Sequence, residues 1–481
     1  MSGDIGDLQL ALARSDREEV NAVAARMLVR GERLGERWLG ISAALAHNGE
    51  HLLALKAAER GLVESGDDPR CRFGLASRLI EAGHPGIAIK IAAPLRGKAG
   101  AAALDHFLGT CSLQLGAFDE ARRCFESALR ANPRAGATWL SLALLPSADD
   151  ARLLTRLLEV QTIGGLEVAH ESPLRFAIGT VLDRLREHDA AFEAFTQGAE
   201  LARRSRPYDQ DADRREALKL FELSRRDLIE LRAGEGGGGD AIFVSGLPRS
   251  GTTLVEQVLT SHSDVGAGSE ARISRIVARE LGSNGVVDLK AYAARHGTQG
   301  IGALYLRLAR QRFGAGRFVD KSLNLARMAG VYSAALPQAP MIWLDRDPLD
   351  VAWSNYRTWF ARGADWSLSL PDMASHMALE ERLAAHWETV TDGRFRRLSY
   401  ADLVTEPEAT IGLIADHCGL IPQDAMFSPH ETARAVTSAS FVQVRRPINR
   451  EGLGSAQPYA RHLAPFLEAL HADRRELGNS P

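Results

Sequence analysis

Residues 242–256 read Ile-Phe-Val-Ser-Gly-Leu-Pro-Arg-Ser-Gly-Thr-Thr-Leu-Val-Glu, and this segment narrows the folds open to the chain more than any other. An apolar strand is followed by a glycine-bearing turn and then by a helix. Such a turn aims backbone N–H groups and the positive end of a helix at one point, where an anion binds. Gly246 and Gly251 let the backbone approach a ligand closely. The hydroxyl side chains able to donate there belong to Ser250, Thr252 and Thr253.

The glycine spacing also bears on which phosphate compound the loop would take. Gly246 and Gly251 are spaced as in the first half of a nucleoside-triphosphatase loop, but Thr252 stands where the lysine should follow. That counts against an ATPase or GTPase, because the lysine neutralises the terminal phosphates. Arg249 supplies a cation inside the loop instead, with a planar fork suited to phosphate or sulfate oxygens. The alternative is a tight strand–helix turn with a surface arginine.

Beyond residue 240 the chain alternates between short apolar runs and helical patterns. The candidate strands are Ala241–Ser245, Arg317–Asp320, Pro340–Asp345 and Phe395–Ser399. Strands that alternate with helices predict a parallel sheet covered by helices, which is an α/β domain.

The first half of the chain is rich in Ala, Leu and Arg and predicts helices throughout. Gly49, Gly83 and Gly116 recur at spacings of 34 and 33 residues, and an alanine follows each by five residues. The best copy spans 102–136, and a further copy lies near 172–205. This pattern resembles the tetratricopeptide repeat, a helix–turn–helix unit of 34 residues, and favours an all-α helical solenoid. The alternative is a generic helical bundle.

Four consecutive glycines lie in the segment Ala233-Gly-Glu-Gly-Gly-Gly-Gly-Asp240, and such a run is costly inside a helix or strand. We therefore expect a repeat domain over 1–232, a linker over 233–240 and an α/β domain over 241–481.

Composition excludes several classes of protein. Lys plus Arg numbers 58 and Asp plus Glu 61, a net charge of −3 that argues against a generally basic nucleic-acid binder. The four cysteines form no CxxC pair and have no histidine cluster at zinc-ligand spacing, so we expect a reducing compartment and no metal. With no apolar run near about 18 residues and no signal-peptide pattern, we expect a cytoplasmic protein without a membrane span.

The run Pro248-Arg-Ser-Gly-Thr-Thr-Leu254 resembles the 5′-phosphosulfate loop of sulfotransferases that use 3′-phosphoadenosine 5′-phosphosulfate (PAPS). With the helical repeats, the chain is similar to bacterial sulfotransferases that contain tetratricopeptide repeats. Its α/β half is similar to the protein-tyrosine sulfotransferases. The resemblance covers about 240–460 and, more loosely, 35–205. It implies that PAPS binds at Arg249, Ser250, Gly251, Thr252, Thr253 and Leu254.

Arg346 follows an apolar strand, and Ser354 comes eight residues later. This spacing resembles the family element that holds the 3′-phosphate of PAPS. The alternative is a surface salt bridge from Arg346 to Asp345 or Asp347.

Glu270 and Arg272 match the positions of a glutamate and an arginine in protein-tyrosine sulfotransferases. The resemblance implies that Glu270 is the general base and that Arg272 contacts the acceptor. An acceptor hydroxyl must lose its proton as it attacks sulfur, and a carboxylate within reach can take that proton. The alternative is helix capping, with Ser269 at the N-cap and Glu270 in the first turn.

Lys321 and Tyr400 both follow candidate strands. The resemblance implies that Lys321 lies near the bridging oxygen of the leaving phosphate, where a cation stabilises developing charge, and that Arg249 shares this task. It implies that Tyr400 contacts the adenine. The alternatives are a surface pair between Asp320 and Lys321, and ordinary core packing for Tyr400.

The stretch 437–449 resembles the family segment that closes over the donor. It adds Ser440, Arg445 and Arg446 as candidate donor contacts, with the choice between the two arginines open. Many relatives have a tryptophan shortly afterwards, where this chain has Ala456 and Gln457. The cap over the nucleotide therefore departs from the family pattern.

The function indicated is transfer of a sulfuryl group from PAPS to a hydroxyl of a peptide, protein or small molecule. A groove in the repeat domain would bind a protein or peptide, including a tyrosine-containing acceptor. A sugar or a lipid head group fits the same residues, so the acceptor stays open, as does the oligomeric state. The alternatives are a phosphate-loop kinase or NTPase and a non-catalytic repeat scaffold.

Overall fold

The computed structural model describes residues 3–97, 100–232, 234, 237–282, 289–432 and 445–478. The first half is helical, as predicted. Its helices are α1 Gly3–Ala13, α2 Arg17–Arg30, α3 Trp38–His47, α4 His51–Glu64, α5 Pro69–Glu81, α6 Pro85–Ala92, α7 Ala101–Gln114, α8 Phe118–Ala131, α9 Gly136–Ala143, α10 Asp150–Ile163, α11 Val168–Arg184, α12 His188–Ser205, α13 Gln210–Phe221 and α14 Arg225–Glu230.

The second half alternates strands with helices. Its strands are β1 Ala241–Ser245, β2 Val265–Ser269, β3 Arg317–Asp320, β4 Met341–Asp345 and β5 Phe395–Ser399. Its helices are α15 Thr252–Thr260, α16 Ile273–Glu280, α17 Leu289–His296, α18 Gln299–Phe313, α19 Leu325–Ala335, α20 Pro348–Tyr356, α21 Leu370–Val390, α22 Tyr400–Thr405, α23 Pro407–His417 and α24 Ala464–Gly478. Over the described ranges, no helix is long and apolar enough to cross a membrane.

The chain divides into two compact units. The first comprises 1–128 and 305–314, and the second comprises 129–304 and 315–481. Helices α9 to α14 therefore belong to the same unit as the sheet. The functional domain limits, 1–232 and 241–481, stay a prediction.

The recurring glycines of the first half occupy equivalent turns. Gly49, Gly83 and Gly116 lie between α3 and α4, α5 and α6, and α7 and α8, with φ of 81°, 85° and 76°. A residue with a Cβ is strained at such a φ, so glycine is the residue that turns the chain there. The spacing of 34 and 33 residues thus corresponds to repeated helix–turn–helix units.

Small residues also let the helices of a pair approach closely. A Cβ built on Gly109 of α7 would lie 2.5 Å from the ring of Phe125 in α8. In the pair α11 and α12, a Cβ on Gly179 would lie 2.8 Å from the ring of Phe195. Each phenylalanine is buried and follows its glycine by 16 residues, so the two helix pairs share one packing arrangement.

The sheet has five strands, in the order β2-β3-β1-β4-β5, and every pairing is parallel. Ile242 and Val244 of β1 pack in one core with Val258 of α15. Phe243, which points to the opposite face, stacks on Tyr332 of α19 at 4.2 Å between ring centroids. Helices therefore cover both faces of the sheet, as the alternating sequence predicted.

Strand β2 is the element that the sequence analysis missed. Its five residues are Val-Gly-Ala-Gly-Ser, and two glycines weaken any strand pattern. The strand forms because β3 pairs with it, with Gly268 opposite Val319 and Ser269 opposite Asp320. A β-bulge or irregularity between Val265 and Ala267 shifts its register. Tertiary pairing, not local propensity, makes this segment a strand.

We expect Gly109→Ala to destabilise the chain by about 1–3 kcal/mol, because its methyl group would overlap the buried ring of Phe125. Gly40→Ala is the matched control, since Gly40 also lies in a helix and nothing stands within 4 Å of its added Cβ. That control should gain about 0.5–1 kcal/mol. Urea unfolding measures both. Equal effects of the two substitutions would contradict the packing described for α7 and α8.

Candidate functional site

Each of the five parallel strands is followed directly by a loop or residue that the sequence analysis selected as a candidate site. The phosphate loop over 246–251 follows β1, Glu270 follows β2, Lys321 follows β3, Arg346 follows β4 and Tyr400 directly follows β5. Because parallel strands have their carboxyl ends on one edge of a sheet, all five positions share that edge. Ligands of open α/β sheets bind in the crevice outside this edge.

The phosphate loop lies directly on the end of the neighbouring strand. A Cβ on Gly246 would stand 2.6 Å from the backbone oxygen of Leu344 in β4, so only glycine fits there. Gly251 has φ of 106° and is the N-cap of α15, whose first turn contains Thr252 and Thr253. The Ser250 hydroxyl is buried and has no hydrogen-bond partner among the described atoms. These features are those of a loop shaped to receive an anion.

Arg249 joins the two predicted phosphate elements. Its Nε donates to the Ser354 hydroxyl of α20 at 3.1 Å, and its backbone oxygen accepts from Arg346 at 2.8 Å. Its φ of 71° lies in the left-handed region, which a non-glycine residue rarely adopts. Residues that are about 100 positions apart in sequence are therefore in direct contact at the sheet edge.

The surface salt bridge considered for Arg346 is not formed. Asp345 pairs with Arg397 at 2.8 Å, and Asp347 caps α20 by accepting from the backbone of Asp350. Arg346 instead contacts the backbone oxygens of Arg249 and Gly452 and lies 4.0 Å from a carboxylate oxygen of Asp350, one turn along α20. Its Nε is buried without a hydrogen-bond partner among the described atoms. One donor of this guanidinium group therefore has no acceptor among the described residues.

Tyr400 packs between the loop and the arginine. The guanidinium carbon of Arg346 lies 4.7 Å from its ring centroid, and a Cβ on Gly251 would stand 2.5 Å from the ring. Burial raises the pKa of the Tyr400 hydroxyl, and the positive charge of Arg346 opposes that rise. The ring thus forms a wall of the site as well as part of the core.

A cleft connects these groups. Its empty space is about 850 Å³, which includes the part that is open to solvent. Its lining includes the predicted residues Arg249, Gly251, Thr253, Leu254, Arg346, Ser354, Tyr400 and Arg446. Arg445 is not among the described residues that line it, whereas Arg446 lines it and pairs with Glu451 at 3.2 Å. Ser440 lies outside the described residues.

Arg357 lines the same cleft and was missed in the sequence analysis. It follows Ser354 by three residues, and residues three apart lie on one face of a helix. That spacing is the signal that could have found it. A lone arginine at a helix end is otherwise ordinary.

Arg249, Arg346 and Arg357 are three of the four arginines that line this cleft, and their guanidinium groups repel one another. Burial, together with the charges of Arg357 and Arg346, lowers the pKa of Arg249 to about 10. Burial also lowers the pKa of Arg346. A pKa lowered by like charges means that an incoming anion would be stabilised by the same groups. The electrostatics therefore favour a polyanionic ligand.

Lys321 lies between two carboxylates at the other end of the edge. Its side chain is 3% exposed, and its Nζ stands 2.6 Å from Glu270 and 3.8 Å from Glu256. Burial disfavours the ammonium charge, but these two carboxylates outweigh burial and raise the pKa of Lys321. Asp320 and Lys321 are both buried, so they do not form a pair at the surface, and Ser322 donates to Asp320 at 2.5 Å. Glu256 was not anticipated from the sequence.

The capping interpretation of Glu270 is wrong. Ser269 ends strand β2, and α16 begins only at Ile273, with Arg272 as its N-cap residue. Arg272 adopts a left-handed conformation with φ of 55°. Glu270 therefore projects from the turn after a strand, where its carboxylate meets Lys321.

Residues 241–424 match the Sulfotransferase family. This range contains all five strands and the loop, the carboxylate–lysine cluster, Arg346, Ser354 and Tyr400. The second half of the chain thus carries a sulfotransferase-family domain.

An uncharacterized protein of Aquifex aeolicus (strain VF5) is 30% identical to this chain over 320 residues. The aligned part covers 63% of this chain but only 42% of that protein. Among solved structures, the sulfotransferase domain of the Synechococcus PCC 7002 olefin synthase is 19% identical, with a TM-score of 0.31, covering 48% of this chain and 98% of that domain. Sulfotransferase STF9 from Mycobacterium avium is 13% identical, with a TM-score of 0.28. The match covers 66% of this chain and 96% of that protein. TM-scores this low add nothing to the domain match.

We expect pyrophosphate to stabilise the protein, by about 2.7 kcal/mol at a hundredfold excess over its Kd, because it relieves the repulsion among the arginines. Arg249→Met should abolish this response. Arg474→Met is the control, since Arg474 pairs with Glu381 on helices α24 and α21 away from the cleft. Thermal unfolding with and without pyrophosphate measures the effect. A normal response in Arg249→Met would contradict the anion site.

Proposed function

We propose that this chain transfers a sulfuryl group from PAPS to an acceptor hydroxyl. The observation that carries the proposal is the set of groups at the carboxyl edge of the sheet. An anion-binding loop, a carboxylate, a buried lysine, an arginine and a tyrosine each follow one of five parallel strands. Nucleotide binding and proton removal would thus occur along one crevice, within the range that matches the Sulfotransferase family.

The cleft residues fit the donor. The loop from Arg249 to Leu254 would hold the 5′-phosphosulfate, using backbone N–H groups and the buried Ser250 hydroxyl. Arg346 and Ser354 would hold the 3′-phosphate. The remaining donor contacts that we propose are Tyr400, Ser440, Arg445 and Arg446, with Tyr400 beside the adenine.

PAPS supplies the sulfuryl group. The acceptor oxygen forms a bond to sulfur while the bond from sulfur to the 5′-phosphate oxygen breaks, and that oxygen keeps the electron pair. Glu270 takes the acceptor proton, so the sulfated acceptor keeps no extra proton and the carboxylate becomes a carboxylic acid. Lys321 and Arg249 stabilise the negative charge that develops on the leaving phosphate. No metal takes part in this scheme.

Contact between Lys321 and Glu270 bears on how the two groups act. In the protein alone the ammonium is 2.6 Å from the carboxylate that is to accept a proton. When Lys321 turns towards a leaving oxygen, that carboxylate oxygen is released to the acceptor. Glu256, at 3.8 Å, stays as the counter-charge for Lys321.

The acceptor that we favour is a tyrosine of a peptide or protein, with Arg272 as its contact. The helical region would act as a solenoid of tetratricopeptide-like repeats and help to bind that peptide in its groove. The recurring glycine turns at Gly49, Gly83 and Gly116 support this part of the proposal. The reaction would take place in the cytoplasm. A small phenol, a sugar or a lipid head group would use the same base.

Incubation with PAPS and a panel of acceptors tests the function. A tyrosine peptide, p-nitrophenol and a simple sugar are the probes, with sulfated product measured by mass spectrometry. Sulfation of any one supports a sulfotransferase, and preference for the peptide supports the proposed acceptor. ATP hydrolysis without sulfation would indicate a kinase or NTPase. Neither activity would indicate a scaffold.

We expect Glu270→Gln to lower turnover by about 10²–10⁴-fold, because glutamine cannot accept the acceptor proton. The amide oxygen can still accept a hydrogen bond from Lys321, so donor binding should be nearly unchanged. Glu408→Gln, on the exposed start of α23, is the control and should keep full turnover. Steady-state kinetics and calorimetry measure the two quantities. Full activity of Glu270→Gln would rule out Glu270 as the base.

A further inference from the structure

Arg357 lies among like charges at the cleft, so a neighbouring group must hold its side chain there. It lies at the end of α20 and lines the cleft with Arg249 and Arg346, whose charges are of the same sign. Like charges in a partly buried site push one another away, so an unsupported arginine would turn to solvent. The structure supplies the support from a helix that precedes the sheet in sequence.

Asp183, on α11, contacts Arg357. Its Oδ2 accepts from Arg357 NH1 at 2.8 Å, and its Oδ1 accepts from the Tyr459 hydroxyl at 2.5 Å. Each carboxylate oxygen therefore has a donor, which fixes the orientation of the carboxylate. The guanidinium carbon of Arg357 lies over the Trp353 ring, 5.8 Å from the ring centroid. Only NH1 of Arg357 is used in this contact, and an arginine has further N–H donors for a ligand.

The same helix pair also fixes the last turn of α20. Tyr356 donates from its hydroxyl to Thr196 of α12 at 3.0 Å, and its ring stacks on Phe192 at 5.3 Å. Phe195 of α12 packs edge-on against Trp353 at 5.7 Å. The helix that carries Ser354 and Arg357 is therefore packed against α12, and α11 provides the counter-charge.

We propose that Asp183 is a positioning residue of the donor site. It holds Arg357 at the cleft before the nucleotide arrives and offsets one of the like charges there. The proposal rests on the proposed function, because the ligand class is an adenosine nucleotide with a 3′-phosphate. Since Arg357 stands one helical turn from Ser354, we place its effect at the 3′-phosphate. Part of the helical half is thus built into the donor site.

Calorimetry with 3′-phosphoadenosine 5′-phosphate and with AMP tests the proposal. Asp183→Asn should weaken binding of the bisphosphate about 10-fold and change AMP binding little, because only the bisphosphate carries the 3′ group. Asp150→Asn is the control. Asp150, on α10, pairs at 2.7 Å with Arg184 of α11, the helix that carries Asp183, and it is not among the cleft residues. It should leave both affinities unchanged.

A double-mutant cycle tests whether Asp183 acts through Arg357. In an Arg357→Met background, Asp183→Asn should have no further effect on affinity, whereas independent effects would multiply. Tyr459→Phe is the milder variant if Asp183→Asn does not fold, and it should weaken bisphosphate binding about 2- to 5-fold. Thermal unfolding of each variant separates loss of fold from loss of binding.

The outcomes separate this inference from the function on which it rests. Failure of the wild-type chain to bind the bisphosphate would overturn both. Tight wild-type binding with normal selectivity in Asp183→Asn, or in Tyr459→Phe where the former does not fold, would overturn the positioning role alone. Loss of bisphosphate binding in Asp183→Asn together with equal loss of AMP binding would also overturn it.

Discussion

Parallel pairing places the carboxyl end of every strand on one edge of the sheet, and the site depends on that geometric constraint. Each strand is only four or five residues long. Register then decides which residues meet. Ser269 stands opposite Asp320, which puts Glu270 and Lys321 next to each other at the strand ends. Asp345 stands opposite Ser399, which does the same for Arg346 and Tyr400.

Charge is the second constraint on this edge. Arg249 has a pKa lowered to about 10 by burial and by two neighbouring guanidinium groups, whereas the pKa of Lys321 is raised by its two carboxylates. One part of the edge therefore favours an added anion, whereas the other holds one ammonium against two carboxylates and is net negative. This division matches a donor subsite beside a subsite for proton transfer, which is the arrangement that we propose for sulfuryl transfer.

Much of the fold could be predicted from the sequence because its signals are local. Four of the five strands contain apolar residues bounded by turns, and the phosphate loop carries its glycines at fixed positions. Strand β2 could not be predicted, because Gly266 and Gly268 remove the side chains on which strand patterns rest. Its pairing with β3 is a long-range contact.

The site shows the same division between local and long-range information. Loop, strand-end and spacing patterns selected Arg249, Arg346 and Ser354, which the structure brings into one cluster. Asp183 carries no motif, and the only signal for Arg357 is its spacing of three residues from Ser354. Their contact joins α11 to the end of α20 across 174 residues, and only tertiary packing brings them together.

The most direct test of the central claim is calorimetric titration of the wild-type chain with 3′-phosphoadenosine 5′-phosphate, AMP and ATP under identical conditions. A donor site for PAPS predicts that the bisphosphate binds at least about tenfold more tightly than AMP, a difference of about 1.4 kcal/mol, and more tightly than ATP. Binding of ATP as tight as that of the bisphosphate, or no binding of any of the three, would contradict it.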